Sequence, residues 1–491
     1  MRGNAGRLAL FMAPIAALAL ASAGCVDEKI VFKERELFET PPPEAASFLG
    51  YSNEENKLTV CGNCHVGQQT KWVQTAHADA WAGLQDSGHA QAFCEGCHTV
   101  NELGNHIEGD VGYTSTGDAR YHDVQCESCH GPGLGHVTNP DGGMVPLAAM
   151  DVGLDLTTGC GECHQGAHHP FVEEWSQSAH GAVPNQGYPG GREACAPCHT
   201  GEDALLSWGI DVVYEEKAAV ENNSSQHLAI TCAVCHDPHA DKNDGQLRFP
   251  VTAPSEEANL CMKCHHKRGT PDVTTFRGPH SPEGPVLLGY GGWWPPNLGA
   301  DGGSIVATHG SEANPTLCAG CHVNSYEVTD ELGNFVQTAT GHLFEAIPCL
   351  DANGVPTTGD CATTERTYST CTGAGCHGSE AVARSLQLTA ENRLDFLAEE
   401  LDRLLSQIHP NWNSCRTNNS CGAGSPWQTG DGIYTTAEGA AFNYELALYP
   451  GSAIHNPFLL EALLTSTIRQ VKTDYGVAVR AGVNLENILG K

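Results

Sequence analysis

Residues 61–77 read CGNCHVGQQTKWVQTAH, and the pattern of the first five residues indicates how the whole chain is organised. Their pattern, Cys-x-x-Cys-His, occurs eight times between residues 61 and 322. The cysteine and histidine frequencies predict only about 0.05 occurrences by chance in a chain of this length. The recurrence is therefore a built feature of the chain, and the chemistry of the pattern is the first guide to its function.

Each residue of the pattern has a task in the covalent attachment of haem c. The two thiols add to the two vinyl groups, and the following histidine becomes the proximal iron ligand. Zinc is the rival ligand of Cys-x-x-Cys pairs, but it does not need a histidine directly after the second cysteine. We number the sites 1 to 8 in chain order: Cys61-Cys64-His65, Cys94-Cys97-His98, Cys126-Cys129-His130, Cys160-Cys163-His164, Cys195-Cys198-His199, Cys232-Cys235-His236, Cys261-Cys264-His265 and Cys318-Cys321-His322.

A ninth site is predicted at Cys371, Cys376 and His377, where four residues separate the two cysteines. The insert Thr-Gly-Ala-Gly is small enough to bulge outward. Two alternatives stay open: Cys361 could replace Cys371 as the first cysteine, or Cys371 could form a disulfide and leave no ninth haem.

The other cysteines outside the sites are Cys25, Cys349, Cys361, Cys415 and Cys421. Local pairing of the last four predicts disulfides Cys349–Cys361 and Cys415–Cys421, which an oxidising compartment permits. Two other connectivities are open.

The second axial ligand of each iron is expected to be histidine. Beyond nine proximal histidines the chain has 16 others, against 5 methionines that include Met1. Paired imidazoles stabilise Fe(III) relative to a His/Met pair, so low potentials are expected. The distal candidates are His77, His136, His180, His227, His239, His280, His309, His342 and His455, with His89, His106, His122, His168, His169, His266 and His409 in reserve. His77 and His180 end two matching six-residue segments, or frames, which begin at Trp72 and Trp175.

The charge balance limits the partners. The chain has 25 Lys+Arg against 58 Asp+Glu, a formal net charge of −33. Nucleic acid and anionic lipid need a basic surface, so neither is an expected partner. Haem propionates would add further negative charge, which also favours the ferric state and low potentials.

The N-terminus indicates export. Arg2 and Arg7 precede an apolar run over residues 8–21, which is typical of a secretory signal covering residues 1–24. The following Gly24-Cys25 resembles the lipobox of bacterial lipoproteins, in which Cys25 would carry the lipid anchor. We expect an exported protein of a Gram-negative bacterium, periplasmic or anchored to the outer membrane, with a tether over residues 25–50.

Residues 51–345 are expected to form an eight-haem body rich in Gly and Pro. The first cysteines of successive sites are 29 to 57 residues apart, so we interpret the recurrence as that of a binding element and not of a structural unit. Residues 346–491 would hold the ninth haem and a helical unit. The predicted fold is mainly α with extensive irregular loops, packed around haem.

Three helices are predicted in the C-terminal part. Leucines recur at three- and four-residue steps from Leu394 to Ile408, a second helix covers residues 437–448, and a third begins with Asn456 as N-cap and Pro457 as first helical residue. We expect these helices to pack within the chain, the alternative being a dimer surface.

Two segments carry a family resemblance. Residues 61–136, with the frame Trp72 to His77 and the segment CESCHGPGLGH ending at His136, resemble the tetrahaem cytochrome c of ammonia oxidisers. Residues 440–457 are similar to the superfamily that includes pentahaem nitrite reductase and hydroxylamine oxidoreductase. The resemblance implies haems stacked in alternating parallel and perpendicular pairs, with His136 and His455 as distal ligands. The chain departs from it in lacking Cys-x-x-Cys-Lys and any identifiable crosslinking tyrosine.

Two functions fit these features. The first is electron transfer by a wire of low-potential haems with two histidine ligands each, for anaerobic or extracellular respiration, with redox proteins or an extracellular acceptor as partners. The second is an oxidoreductase that acts on nitrite, hydroxylamine or tetrathionate at one open haem. The sequence assigns no catalytic residue and leaves assembly into an oligomer or filament open.

Overall fold

The structure is a computed structural model that describes residues 48–100, 112–141, 146, 159–182, 191–210, 227–240, 242–274, 277–299, 303–373, 376–428 and 432–490. The predicted signal sequence, Cys25, nearly all of the tether and His106 lie outside these residues.

Short helices punctuate the chain up to residue 372, and many of them begin at or beside a Cys-x-x-Cys-His site. They are α1 Val66–Trp72, α2 Ala80–Asp86, α3 Glu95–His98, α4 Tyr113–Thr116, α5 Cys126–His130, α6 Leu134–Thr138, α7 Phe171–Gln177, α8 Ala196–His199, α9 Gly201–Ser207, α10 Cys232–Cys235, α11 Glu283–Leu287, α12 Ala319–His322 and α13 Ser369–Thr372. Single 3-10 turns cover Cys61–Asn63, Ala76–Asp79, Ala92–Cys94, Ala119–Tyr121, Gly159–Glu162, Ala179–Gly181, Asp244–Gln246, Cys261–Lys263, Thr308–Gly310 and Thr363–Glu365. The predicted mainly helical, loop-rich fold is confirmed.

The described strands form three two-stranded antiparallel ribbons. The strands are β1 Tyr51–Asn53, β2 Leu58–Thr59, β3 Tyr326–Thr329, β4 Phe335–Ala339, β5 Cys349–Leu350 and β6 Pro356–Thr357. Tyr326 pairs with Ala339 in the longest ribbon, and Cys349 pairs with Thr357 in the last. Ribbons of this size contribute little core, so the loops depend on other supports.

Buried glutamates supply part of that support, because their carboxylates accept hydrogen bonds from backbone N–H groups far away in sequence. Glu127 accepts from Leu49, Gly50 and Gly133 at 2.8–3.1 Å. Glu174 accepts from the backbone of Thr340 and His342 at 2.8 and 2.7 Å. Each carboxylate thereby holds a loop against a helix.

The C-terminal unit consists of α14 Glu380–Ile408, α15 Trp412–Thr417, α16 Thr436–Ala447, α17 Ser452–His455 and α18 Pro457–Tyr475. The leucines of α14 pack on α16 and α18 in the largest described hydrophobic cluster. Asn456 caps α18 by accepting the Leu459 N–H at 3.0 Å, as predicted. The three predicted helices are confirmed, and they pack within the chain.

Disulfides join Cys349 to Cys361 and Cys415 to Cys421, which confirms the local pairing and removes Cys361 as a partner for site 9. Among the described residues, none of the helices has the length and hydropathy needed to cross a bilayer.

Candidate haem-binding sites

A local helical turn builds each well-described site. At site 1 the N–H of His65 donates to the carbonyl of Cys61 at 2.9 Å, and the corresponding bond at sites 4, 6, 7 and 8 measures 2.9–3.0 Å. This turn places the two thiols and the imidazole on one side of the backbone. At site 9 the N–H of His377 reaches the carbonyl of Cys371 at 3.0 Å despite the longer insert. All eighteen cysteines of the nine predicted sites are free of disulfides.

Eight of the nine site histidines lie opposite a second imidazole. The ring centroids are 6.1–6.5 Å apart in each case. The pairs are His65–His136, His77–His164, His130–His239, His180–His265, His199–His280, His236–His342, His309–His377 and His322–His455. In every pair the second histidine is one of the nine distal candidates.

This separation is the one that a shared metal ion requires. An imidazole nitrogen binds a metal at about 2 Å and the ring centre is about 1 Å further, so two rings on opposite sides of one metal have centroids roughly 6 Å apart. Aromatic rings in general pack over a wider range of centroid distances, about 4.5–7 Å, so it is the recurrence of one narrow distance at eight site histidines that indicates a shared ligand. Each pair of imidazoles would hold one iron between them.

Several of these rings are oriented by a hydrogen bond at Nδ1. His98, His130 and His322 donate from Nδ1 to the carbonyls of Ala80, Pro146 and Phe344 at 2.8–2.9 Å. His236 and His309 donate in the same way to Gly245 and Ile454 at 2.6 and 2.8 Å. A donor at Nδ1 fixes the tautomer and leaves the Nε2 lone pair for a metal.

Burial favours the neutral form of several of these rings, as metal ligation requires. It lowers the pKa of His180, His342 and His455 to about 4. His265 departs from this pattern, because the carboxylate of Glu283 lies beside it and raises its pKa. The two groups are 3.4 Å apart, from His265 Nδ1 to Glu283 Oε2.

Among the described residues, His227 is the distal candidate whose imidazole contacts a carboxylate, that of Glu202. Its Nδ1 lies 2.7 Å from Glu202 Oε1, and the same carboxylate accepts the Leu228 N–H at 3.0 Å. Together with Asp203 these two side chains form a small cluster in which each offers one possible ligand atom within 4.8 Å of the others. In the part of the chain that the structure describes, no site histidine faces His227, so it is not paired with any of the sites.

Site 2 is left without a facing imidazole among the described residues. His98 makes no ring contact there with another histidine, although the charge of His98 affects the pKa of His169. His169 and the neighbouring His168 were reserve candidates, and both are exposed; His168 stacks on Phe335 at 4.8 Å.

The sites influence one another through their cysteines. Hydrogen bonding between thiols shifts the pKa within the pairs Cys61–Cys126, Cys97–Cys163, Cys160–Cys232, Cys198–Cys264 and Cys261–Cys318, which places site 1 beside 3, 2 beside 4, 4 beside 6, 5 beside 7 and 7 beside 8. Longer-range electrostatic interaction shifts the pKa across Cys129–Cys163, Cys235–Cys261 and Cys321–Cys376, which places 3 near 4, 6 near 7 and 8 near 9. The nine sites thus form one network, in which 1-3-4-6-7-8-9 is a continuous path and sites 2 and 5 are side branches.

The pattern of neighbouring sites occurs twice along the chain. Site 1 lies beside 3, and sites 2 and 3 lie beside 4; in the same way site 4 lies beside 6, and sites 5 and 6 lie beside 7. Each set of sites includes one of the two segments that run from a tryptophan to a histidine. Trp72 Nε1 donates to the carbonyl of Val124 at 3.0 Å, while the Val124 N–H donates to the carbonyl of His77 at 3.0 Å. Trp175, Ile230 and His180 form the same two bonds at 2.8 and 3.1 Å. The expectation that only a binding element recurs is wrong here, since a three-site structural unit occurs twice.

A large, partly open cavity adjoins the network. Its volume is about 3290 Å³, and it is lined by cysteines and histidines of sites 3 to 9. Arg248, Lys267, Arg268, Arg277 and Arg366 also line it and could pair with propionates. Paired free thiols, facing imidazoles and a connected cavity together fit covalently bound haem.

Two family models and one curated relative agree with this chemistry. Residues 60–131 match the family model "Cytochrome c554 and c-prime", and residues 227–270 match "Doubled CXXCH motif". "Multiheme cytochrome MtrA" of Shewanella baltica (strain OS185) is 27% identical over 198 residues, which are 36% of this chain and 53% of the relative. The chain thus spans about half the length of that curated relative. The solved structure of "Outer Cell Wall Cytochrome OcwA" is similar over 77% of this chain and 75% of its own, at 18% identity and a TM-score of 0.47.

Proposed function

We propose that this chain, which is a multihaem c-type cytochrome, is an electron carrier that holds nine haems in one connected, branched network. Each haem supplies a one-electron Fe(III)/Fe(II) couple when bound. The eight imidazole pairs carry the proposal, because an iron with two protein ligands has no position for a substrate. Such irons exchange electrons without binding anything else.

The chain's own residues contribute three things to this function. The thiol pairs would attach the cofactors at fixed places, and the closeness of cysteines from different sites would bring neighbouring cofactors together. Nδ1 bonds such as His322 to Phe344 hold the ligand rings still, so that little reorganisation accompanies a change of charge. Paired neutral imidazoles and the surplus of carboxylates favour Fe(III), which supports low potentials.

The place of the carrier is proposed from the sequence. The signal over residues 1–24 and the lipobox-like Cys25 support an exported, lipid-anchored protein of the cell envelope. There it would link a redox protein to an acceptor outside the cell, and an acidic surface suits a basic or metal-bearing partner.

The order of the sites gives a direct test. A photoreductant is attached at Glu55→Cys, in the exposed turn before site 1. One variant lacks site 4 (Cys160→Ser with Cys163→Ser), and its matched control lacks the side-branch site 5 (Cys195→Ser with Cys198→Ser). Both should lose one haem mass. Repeated flashes should rapidly reduce all eight remaining haems in the control but only those at sites 1 and 3 in the site 4 variant. Equal rapid reduction in the two variants would contradict the path.

Site 2 favours oxidoreductase chemistry as a second candidate function, because His98 faces no other imidazole among the described residues. An iron there would keep an open position for a small nitrogen or sulfur compound. The test is the ferric spectrum of the purified protein at neutral pH. A high-spin signal from about one ninth of the haem that responds to nitrite or hydroxylamine supports this function, and a wholly low-spin spectrum rejects it.

A further inference from the structure

Sites 4 and 7 are counterparts in the two copies of the three-site unit. Each is the junction at which a side branch meets the path. Their second imidazoles, His77 and His180, are the ends of the two matching frames, with ring separations of 6.2 Å at both sites. The backbone carbonyl of each of these two site histidines also accepts a hydrogen bond from a later residue. Val172 N–H donates to the carbonyl of His164 at 3.2 Å, and Gly284 N–H donates to the carbonyl of His265 at 2.8 Å.

The residue immediately before this hydrogen-bond donor differs between the two copies. In the first copy it is Phe171, whose ring meets the His164 imidazole edge-on with centroids 5.5 Å apart. In the second copy it is Glu283, whose Oε2 lies 3.4 Å from His265 Nδ1. One junction histidine therefore has an apolar neighbour where the other has a carboxylate.

Close packing brings the start of α11 against site 7. A Cβ at position 284 would come within 2.9 Å of the His265 carbonyl and 3.1 Å of Met262 Cγ, so Gly284 permits the approach. Asn456 Nδ2 donates to the carbonyl of Val286 at 3.1 Å and so fixes α11 from the C-terminal side. Glu283 Oε2 is buried and accepts no hydrogen bond among the described residues, and His265 Nδ1 lies 3.4 Å from it.

We infer that Glu283 lowers the reduction potential of the haem at site 7. A carboxylate beside the Nδ1–H of a ligating histidine raises the basicity of the ligand, and together with its negative charge it stabilises Fe(III). Phe171 offers neither effect at the histidine of site 4. The duplicated unit thus has a carboxylate beside the histidine of one junction and an aromatic ring beside that of the other.

The inference rests on the proposed function, and its test separates the two. Glu283→Gln keeps the shape of the side chain and removes the charge. In a spectroelectrochemical titration about one ninth of the haem absorbance should shift upward, by about tenfold in the Fe(II)/Fe(III) ratio at fixed potential, or about 59 mV for a one-electron couple. The matched control is Glu54→Gln, because Glu54 lies 3.3 Å from Nδ1 of His122, which stacks on Trp81 and, among the residues that the structure describes, faces no site histidine. The control should titrate as the wild type.

A Glu283→Gln curve that overlays the wild-type curve would overturn the inference while leaving nine haems and the proposed carrier intact. Absence of haem from every variant would instead refute the proposed function. The denatured mass checks haem content. If the Gln variant loses a haem, Glu283→Asp carries the test: it keeps the charge at a greater distance from Nδ1 and should give a smaller upward shift of the same ninth, and no shift would overturn the inference.

Discussion

At the scale of single residues, the attachment chemistry follows from sequence and the ligand pairs do not. Cys-x-x-Cys-His names the proximal histidine because its spacing is local. The second imidazole comes from a distant segment, as when His309 meets His377 or His322 meets His455. Counting histidines narrowed the search, but only the fold shows which rings face each other. His227 and His239 were both distal candidates, and only the fold shows that His239 faces a site histidine, His130.

His239 provides the residue-scale prediction, since its ring lies 6.1 Å from that of His130. His239→Ala should open one axial position and convert about one ninth of the ferric haem to a high-spin signal in electron paramagnetic resonance. The matched control is His227→Ala, which removes an imidazole held by Glu202 and should leave the spectrum unchanged. A high-spin signal in the control alone would reverse the two assignments.

At the scale of elements, periodic leucines and caps were sufficient for the C-terminal helices. The start of α14 was missed because the residues between Glu380 and Leu394 carry a weaker apolar pattern, with Val382, Leu386 and Leu388 exposed. The duplicated unit was missed because its copies are offset unevenly, by 99 residues from Cys61 to Cys160, 103 from Trp72 to Trp175 and 106 from Cys126 to Cys232. Loops of different length hide the period without changing the contacts.

Asn456 combines two roles, which predicts an unusually large effect for an N-cap. Its Oδ1 caps α18, and its Nδ2 donates to the buried carbonyls of Val286 and Ile305. Asn456→Ala should lower the free energy of unfolding by about 3 kcal/mol. Ser379→Ala, at the exposed N-cap of α14, should cost about 1 kcal/mol. Urea unfolding followed by circular dichroism measures both, and equal losses would show that the contacts of Nδ2 add nothing.

Glu400 predicts how acid affects the helical unit. Burial alone would raise its pKa, but hydrogen bonds from Arg403 and Arg480 at 2.6–3.0 Å outweigh burial and lower the pKa to about 2. A folded-state pKa below the ordinary 4.5 contributes stability above that pH, and the contribution is lost as the pH falls toward 2. Glu400→Gln should therefore be less stable than the wild type near pH 7, with the difference shrinking below pH 4.5 in thermal unfolding. A difference independent of pH would contradict this role.

At the scale of the whole molecule, composition predicted an acidic, cofactor-filled chain, and the structure adds the branched order of the sites. That order depends on which thiols meet, as Cys160 meets Cys232 across 72 positions, and no local pattern encodes it. The N-terminal predictions of a signal and a lipid at Cys25 remain predictions.

The net charge of −33 predicts the response to mediators. A cationic redox mediator should reduce the oxidised protein roughly tenfold faster than an anionic one of equal driving force at low ionic strength. The ratio should approach one at 1 M salt, where the screening length falls to about 3 Å. Stopped-flow reduction measures it, and a ratio that does not change with salt would contradict electrostatic steering.

Nine covalently bound haems would each add their mass to the polypeptide, so the mass of the purified protein under denaturing conditions counts them. We predict the mass of the processed polypeptide plus nine haems, with each haem on the peptide that carries its site. A colourless protein with the mass of the bare polypeptide would contradict it.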